Sequence, residues 1–248
     1  MAFKTDGIVI REQTVGESDR LVWILTRDHG ILKAFARKAK NLKDPKNAST
    51  GLLCYSDFSI SEGKTSFYIN NASVKDVFFG LRSDITRLSL AQYFCELAAE
   101  FVPENTDSEE FLRLILNSLH FLSNSGRSEK LIKSITELRM LSAAGYMPDL
   151  VACHKCGKYE SHEMFFMPLD GTICCEDCYA PDKKVMIRLP FTVITAMRYI
   201  CYSDFSKIYS FSLSEDAEKL LSFACESYVL NTIGHSLTTL DFYRSISN

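Results

Sequence analysis

Two Cys-x2-Cys pairs, Cys153/Cys156 and Cys175/Cys178, stand 18 residues apart in this chain, and they restrict its fold more tightly than any other feature. A two-residue spacing lets one tight turn bring both sulfurs to ~2.3 Å from a single Zn2+, and a second such turn completes the tetrahedron. Four thiolates leave no open coordination position, so the metal they imply is structural. A redox dithiol needs one pair, not two. Cys174 adjoins Cys175 and is an alternative ligand through a Cys-x3-Cys turn, with His154 and His162 as weaker substitutes. Five of the nine cysteines crowd into this stretch, which points to metal and away from disulfide staples. Cys54, Cys95, Cys201 and Cys225 fall in apolar patterns and read as small buried hydrophobes.

The rest of the chain changes period once. Up to residue 80, short apolar and β-branched runs predict strands near residues 4–12, 20–27, 30–38, 52–60 and 65–75. Asp28-His29-Gly30 and Ser61-Glu62-Gly63-Lys64 are hairpin turns, and five strands at this spacing suit a small β-barrel. Beyond Gly80 the period becomes helical. Ile85, Leu88, Phe94, Leu97 and Phe101 share one face, ended by Pro103. Thr106 and Glu109 have the spacing of a capping box for a helix carrying Phe111, Ile115, Leu119 and Leu122. Leu131, Ile135, Leu138 and Leu141 mark a third helix, stopped by Gly145 and Pro148. Helical patterning returns at 190–202, 214–232 and 237–247. The expected fold class is therefore α+β: a five-stranded barrel domain over residues 1–80, then an all-helical domain over 81–248 carrying a four-cysteine, zinc-ribbon-like insertion at 151–182. A chain of 248 residues that is 46% hydrophobic can bury such cores. Glu96 and Glu100 interrupt the most apolar stretch before it reaches the ~18 residues of a membrane span, and Asp6 stands too early for a signal peptide, so a cytoplasmic protein is expected.

The formal net charge of -3 hides an asymmetry. Residues 1–80 hold 12 Lys plus Arg against 9 Asp plus Glu, whereas the remainder holds 16 against 22. Between positions 33 and 46 stand Lys33, Arg37, Lys38, Lys40, Lys43 and Lys46, opposed only by Asp44. On a strand Lys33, Phe35 and Arg37 project from one face, which sets a ring between two cations and suits a stacked base with its flanking phosphates. The plainer reading is a solvated loop with Phe35 in the core. Trp23, Tyr55, Phe67 and Tyr68 read as core or as base-stacking residues, with core favoured in the absence of a register.

No phosphate-binding glycine loop, nucleophile elbow or His-Glu-x2-His helix occurs, and the five histidines are scattered. Glu109-Glu110 and Glu215-Asp216 lie where helix N-termini favour negative charge. The chain is thus not expected to be an enzyme. A metal-dependent hydrolase would need an open zinc position, and the rival of another class is a protein-interaction scaffold with structural zinc and no direct DNA role.

The run Leu138 to Leu150, with its Gly145-Tyr146-x-Pro148-x-Leu150 turn, followed by Cys153 and Cys156-Gly157, resembles the RecO family. So do Phe165 to Pro168 with Asp170-Gly171 and Cys175 to Cys178, and, near the start, Asp6 to Ile10, Gly16 to Asp19, Leu25-Thr26 and Gly30 through Lys38. Ile233 to Phe242 resembles the family's last helix, so the likeness spans nearly the whole chain. It implies an OB-fold that binds single- and double-stranded DNA, anneals complementary strands, and assists RecA loading with RecR and single-stranded DNA-binding protein at the bacterial nucleoid. One departure is that Ala36-Arg37-Lys38-Ala39-Lys40 is mostly lysine where the family is often arginine-rich; lysine meets phosphate as a point charge and lacks the planar stacking of guanidinium.

Overall fold

In the computed structural model, residues 2–124, 126–180 and 185–247 are described. Pro181 and Asp182, the last residues of the expected insertion, lie outside them, as do Met1 and Asn248 at the outer limits of the two expected domains. The period-two segment forms β1 (Ala2–Val15), β2 (Asp19–Thr26) and β3 (Ile31–Ala36), then a short helix α1 (Lys46–Ser49), then β4 (Tyr55–Glu62) and β5 (Phe67–Asp76). These strands close into a barrel in the order β1-β2-β3-β5-β4, with β4 paired back onto β1. Neighbours are antiparallel except β3 and β5, which pair in parallel over Ala34↔Phe67 and Phe35↔Tyr68. This is a five-stranded barrel of OB type. Val9, Val22, Ile24, Leu32, Ala34, Ala36, Phe58, Ile60 and Ile69 fill its interior.

The helical part comprises α2 (Ile85–Phe101), α3 (Glu109–Asn124), α4 (Glu129–Ala143), α5 (Phe191–Tyr202), α6 (Glu215–Ile233) and α7 (Thr238–Ile246). Between α4 and α5 the cysteine segment adds an antiparallel sheet of β6 (Glu163–Met167), β7 (Thr172–Cys175) and β8 (Ile187–Pro190) in the order β7-β6-β8. Residues 1–125 with 237–248 make one compact unit and 126–236 another, so α2, α3 and α7 belong with the barrel. The change of period at residue 80 is internal to the first unit. Among the described residues no helix is long and apolar enough to cross a membrane.

In the first unit the Asp84 carboxylate caps α2, accepting from the Thr86 and Arg87 N–H groups at 2.9 and 3.2 Å. The start of α3 departs from the expected capping box. Thr106 donates to the Pro103 carbonyl, and Asp107 accepts from the Glu109 N–H at 3.0 Å. The reason is that the residues at the start of this helix are engaged with the barrel. Ser108 donates to the Thr26 carbonyl at 2.6 Å and accepts from the Gly30 N–H at 3.1 Å, while the Glu109 carboxylate meets Arg27 at 2.7 Å. Gly30, at φ +64°, is confined to glycine on two counts, since an added Cβ would also lie 2.0 Å from the Pro103 carbonyl oxygen.

Arg27 also grips Asp6 with two hydrogen bonds of 2.7 and 2.8 Å; Tyr55 donates to the same carboxylate and Lys75 lies 3.5 Å away. The Arg27 hydrogen bonds, with Tyr55 and the two cations, hold Asp6 well below the usual carboxylate range against the opposing effect of burial. A depressed folded-state pKa stabilises above the unfolded value of about 4 and is lost as pH falls below it. Asp6→Asn is therefore expected to lower stability by about 2 kcal/mol at neutral pH and to flatten the acid limb of the unfolding curve. Parallel pH dependence of wild type and variant in urea melts would contradict this.

In the second unit Lys133 on α4 is buried with Glu137 at 2.7 Å and with Glu226 of α6 at 2.8 Å. Burial opposes the charge on Lys133, yet the two carboxylates outweigh it and raise its pKa. A charge left without its partners at this depth would be strongly destabilising, so these three side chains join α4 to α6 as a unit.

Candidate nucleic-acid interface and metal centre

Strand alternation that sends Val22, Ile24, Leu32 and Ala34 inward must send Trp23, Lys33 and Phe35 outward. Pairing then lines these up across the barrel. Arg11, Trp23 and Lys33 occupy one row over β1, β2 and β3; Leu21, Phe35 and Tyr68 occupy the next over β2, β3 and β5. The Arg11 guanidinium lies 4.7 Å and the Lys33 ammonium 5.0 Å from the Trp23 ring centroid. Phe35 stacks on Tyr68 with centroids 5.8 Å apart, and Arg37 lies 4.8 Å from the Tyr68 ring. Cations thus alternate with half-buried aromatic faces, each pair attracted through the ring quadrupole. A groove of about 550 Å³ lined by Lys33, Phe35, Lys64 and Phe67 runs beside this face.

Arg11 reaches the row only because β1 bulges. Its register shifts between Val9, paired with Ile24, and Arg11, paired with Trp23, so Ile10 is the extra residue. Were the register of Val9 continued through Ile10 without a bulge, Arg11 would pair with Val22 and point into the barrel.

From Arg37 the chain leaves the barrel in a loop whose shape is set by hydrogen bonds. Lys38 has φ +58°, a left-handed conformation that strains a non-glycine residue. Its N–H donates to the Asp19 carboxylate at 2.9 Å, and the Lys40 N–H to the Ser18 carbonyl at 3.0 Å. Ala39 is buried with the barrel core, and its carbonyl accepts from Asn47 at 2.8 Å. Arg37, Lys38, Lys40 and Lys43 project into solvent, as does Lys33, and among the described residues none of the five has a carboxylate partner. Lys46 departs from the track expected of it: it lies at the start of α1, largely covered, 3.7 Å from the equally covered Asp44. The one acidic residue of the segment is thus spent on the one lysine that faces inward.

Trp23, Tyr55 and Tyr68 are not core residues. Each is half-buried on the outside with a cation over its ring, Lys75 in the case of Tyr55 at 4.9 Å. Phe67 does pack against the barrel interior. Arg11 escapes a reading of the sequence altogether, because only the bulge reveals it.

In the second unit the sulfurs of Cys153, Cys156, Cys175 and Cys178 all lie within 4.8 Å of one another, with Cys156 and Cys175 3.6 Å apart. A tetrahedron with ~2.3 Å metal–sulfur bonds has edges of ~3.8 Å, so the donor set is compatible with a structural zinc ion. The first knuckle is a tight turn: the Gly157 N–H donates to the Cys153 carbonyl at 2.8 Å, with Gly157 at φ +74°. The second opens at the end of β7. Burial alone would raise the Cys153 thiol, but backbone N–H groups of Cys175, Cys156 and Lys155 bring it down to about 6, whereas hydrogen bonds with the neighbouring sulfurs of Cys156 and Cys175 push Cys178 up to about 12. Cys174 stands outside the group: its buried sulfur contacts the Cys175 carbonyl at 3.5 Å. His154 turns to the Ile173 carbonyl at 3.1 Å. Arg198 of α5, buried, donates to the carbonyls of Leu150, Val151 and Tyr159 at 2.6, 3.1 and 2.8 Å, tying the knuckle-bearing loop to a helix. Cys54, Cys95, Cys201 and Cys225 are buried, and burial pushes Cys95 up to about 12 and Cys201 to about 11.

Two family models match the chain, the N-terminal part of recombination protein O over residues 1–78 and its C-terminal part over residues 82–241. The DNA repair protein RecO of Acetivibrio thermocellus is 33% identical over 243 residues, covering 98% of this chain and 96% of that protein. The DNA repair protein RecO of Dehalococcoides mccartyi strain CBDB1 is 30% identical over 248 residues, with 98% and 96% covered. That of Alkaliphilus metalliredigens is 26% identical over 230 residues, with 93% of each covered.

Proposed function

Because this chain belongs to the RecO family of DNA repair proteins, we propose that it binds single- and double-stranded DNA on the outer barrel face and anneals complementary strands. The observation that carries this reading is the exposed series Lys33, Arg37, Lys38, Lys40 and Lys43, without carboxylate partners, continuous with the rings of Trp23, Phe35 and Tyr68. Cations along the loop neutralise phosphates and release counterions, which lowers the repulsion between two approaching strands. The rings accept unpaired bases face-on and leave their pairing edges free. No bond is made or broken; the work is done by binding free energy.

Family membership extends the proposal to partners: RecR, single-stranded DNA-binding protein, and through them RecA loading onto DNA. Such work belongs at the bacterial nucleoid, in the cytoplasm. Zn2+ held by Cys153, Cys156, Cys175 and Cys178 has a structural part, since four thiolates leave no position for substrate or water.

Fluorescence anisotropy with a labelled oligonucleotide at increasing salt tests the reading. A footprint of about six phosphates gives a slope of roughly -4 to -5 in log affinity against log salt, and the same protein should accelerate pairing of complementary oligonucleotides. Absent or salt-insensitive binding would return the barrel to being ordinary surface of a protein-interaction scaffold. Binding without faster pairing would remove annealing alone.

A further inference from the structure

Phosphate contacts leave one side chain of the basic loop unexplained. Leu42, at its tip, is 90% exposed, more than any other large hydrophobic side chain among the described residues. It stands between Lys40 and Lys43, both exposed. The tip is shaped by turns: the Asn41 N–H donates to the Lys38 carbonyl at 3.0 Å, the Asp44 N–H to the Asn41 carbonyl at 2.9 Å, and the Lys43 N–H to the Asn41 side chain at 3.0 Å. With Ala39 anchored in the barrel core below it, the loop presents an isobutyl group to water on a backbone already fixed.

Hydrocarbon exposed on a preformed loop gains free energy only when a partner covers it. The partner here must offer negative charge on both sides of an apolar slot. A nucleic acid strand has this layout, with phosphates outside and base faces within, and the loop continues directly from the cation-and-ring face of the barrel. We infer that Leu42 inserts between two neighbouring bases of a bound DNA strand while Lys40 and Lys43 hold the flanking phosphates, opening the stack at that step. Apolar wedges that part a base step act in this way where proteins kink DNA. The opened step would present unstacked bases to an incoming complement. The inference rests on the DNA-binding reading above.

The test uses the full-length protein and an oligonucleotide carrying a fluorescent adenine analogue that is quenched by stacking. Wild type should raise the emission at saturating protein. Leu42→Asn should reduce the unstacked population roughly tenfold, Leu42→Met should keep it, and neither should alter the slope of affinity against salt. Normal salt-dependent binding with emission unchanged in Leu42→Asn would overturn the wedge and leave the DNA-binding reading standing. So would a flattened salt slope in Leu42→Asn, because Leu42 would then act by shaping the phosphate contacts. No binding by wild type would overturn both, and protection of Leu42 by a protein partner in its place would identify the loop as a protein-docking element.

Discussion

Replacing Arg37, Lys38, Lys40 and Lys43 together with alanine is expected to lower DNA affinity about a thousandfold at ~0.1 M salt and to reduce the salt slope by about 3. Each phosphate contact contributes close to one unit of slope on duplex and somewhat less on single strands, so four contacts set both figures. The loss should be uniform across base sequences, because lysine and arginine contacts to phosphate position the strand without reading it. The fold should survive. All four side chains are exposed, and none has a carboxylate partner whose charge would be stranded by the change. The loop backbone is held by Asp19, Ser18 and Asn47, none of which is touched. Electrophoretic shift and anisotropy would read the effect, with thermal melting as the control. Unchanged affinity in a normally melting variant would place the DNA face elsewhere.

Removing the metal is expected to abolish cooperative unfolding of the unit spanning residues 126–236. A structural zinc site of this kind gains ~10–16 kcal/mol of apparent binding free energy, comparable to the whole stability of a domain. Here the knuckles carry little apolar mass of their own, and their loop is connected to α5 through the three carbonyls that Arg198 holds. Once the thiolates separate, those bonds lose their fixed partner. Chelation monitored by far-ultraviolet circular dichroism and metal analysis gives the first readout. Cys175→Ser should lose the metal, whereas Cys174→Ala should keep one equivalent, since Cys174 lies outside the cluster. A melt unchanged after verified metal removal, or metal loss in the Cys174 variant alone, would refute the assignment.

Both the barrel and the helices are legible in the sequence because period reports which face is buried, and period survives in a single chain. Which barrel residues face outward is less legible. In β2 both faces are apolar, Val22 and Ile24 within, Leu21, Trp23 and Leu25 without, so alternation of polarity gives no direction there. Arg11 is concealed by the bulge at Ile10, an inserted residue that reverses parity without changing composition. Lys46 looks like one more cation of the loop, and only the fold shows it turned toward Asp44. The strands around the cysteines escape a period-based reading because they are only four or five residues long, and in β7 one buried position is taken by the candidate ligand Cys175. The ligand choice between Cys174 and Cys175 turns on which sulfur joins the other three, a property of the folded strand end that spacing leaves open. Grouping α7 with the barrel depends on contacts such as Glu96 accepting from the Thr239 N–H at 2.9 Å across 143 residues of chain, beyond the reach of any local pattern.

That last contact has a bearing on synthesis. The barrel-bearing unit is interrupted by the whole of residues 126–236 before residues 237–247 return to it. At a translation rate of about 5–20 residues per second, the ribosome spends several seconds making the intervening unit while the first lacks the segment that covers α2. A nascent chain in that interval is expected to leave uncovered the face of α2 on which α7 packs until α7 emerges.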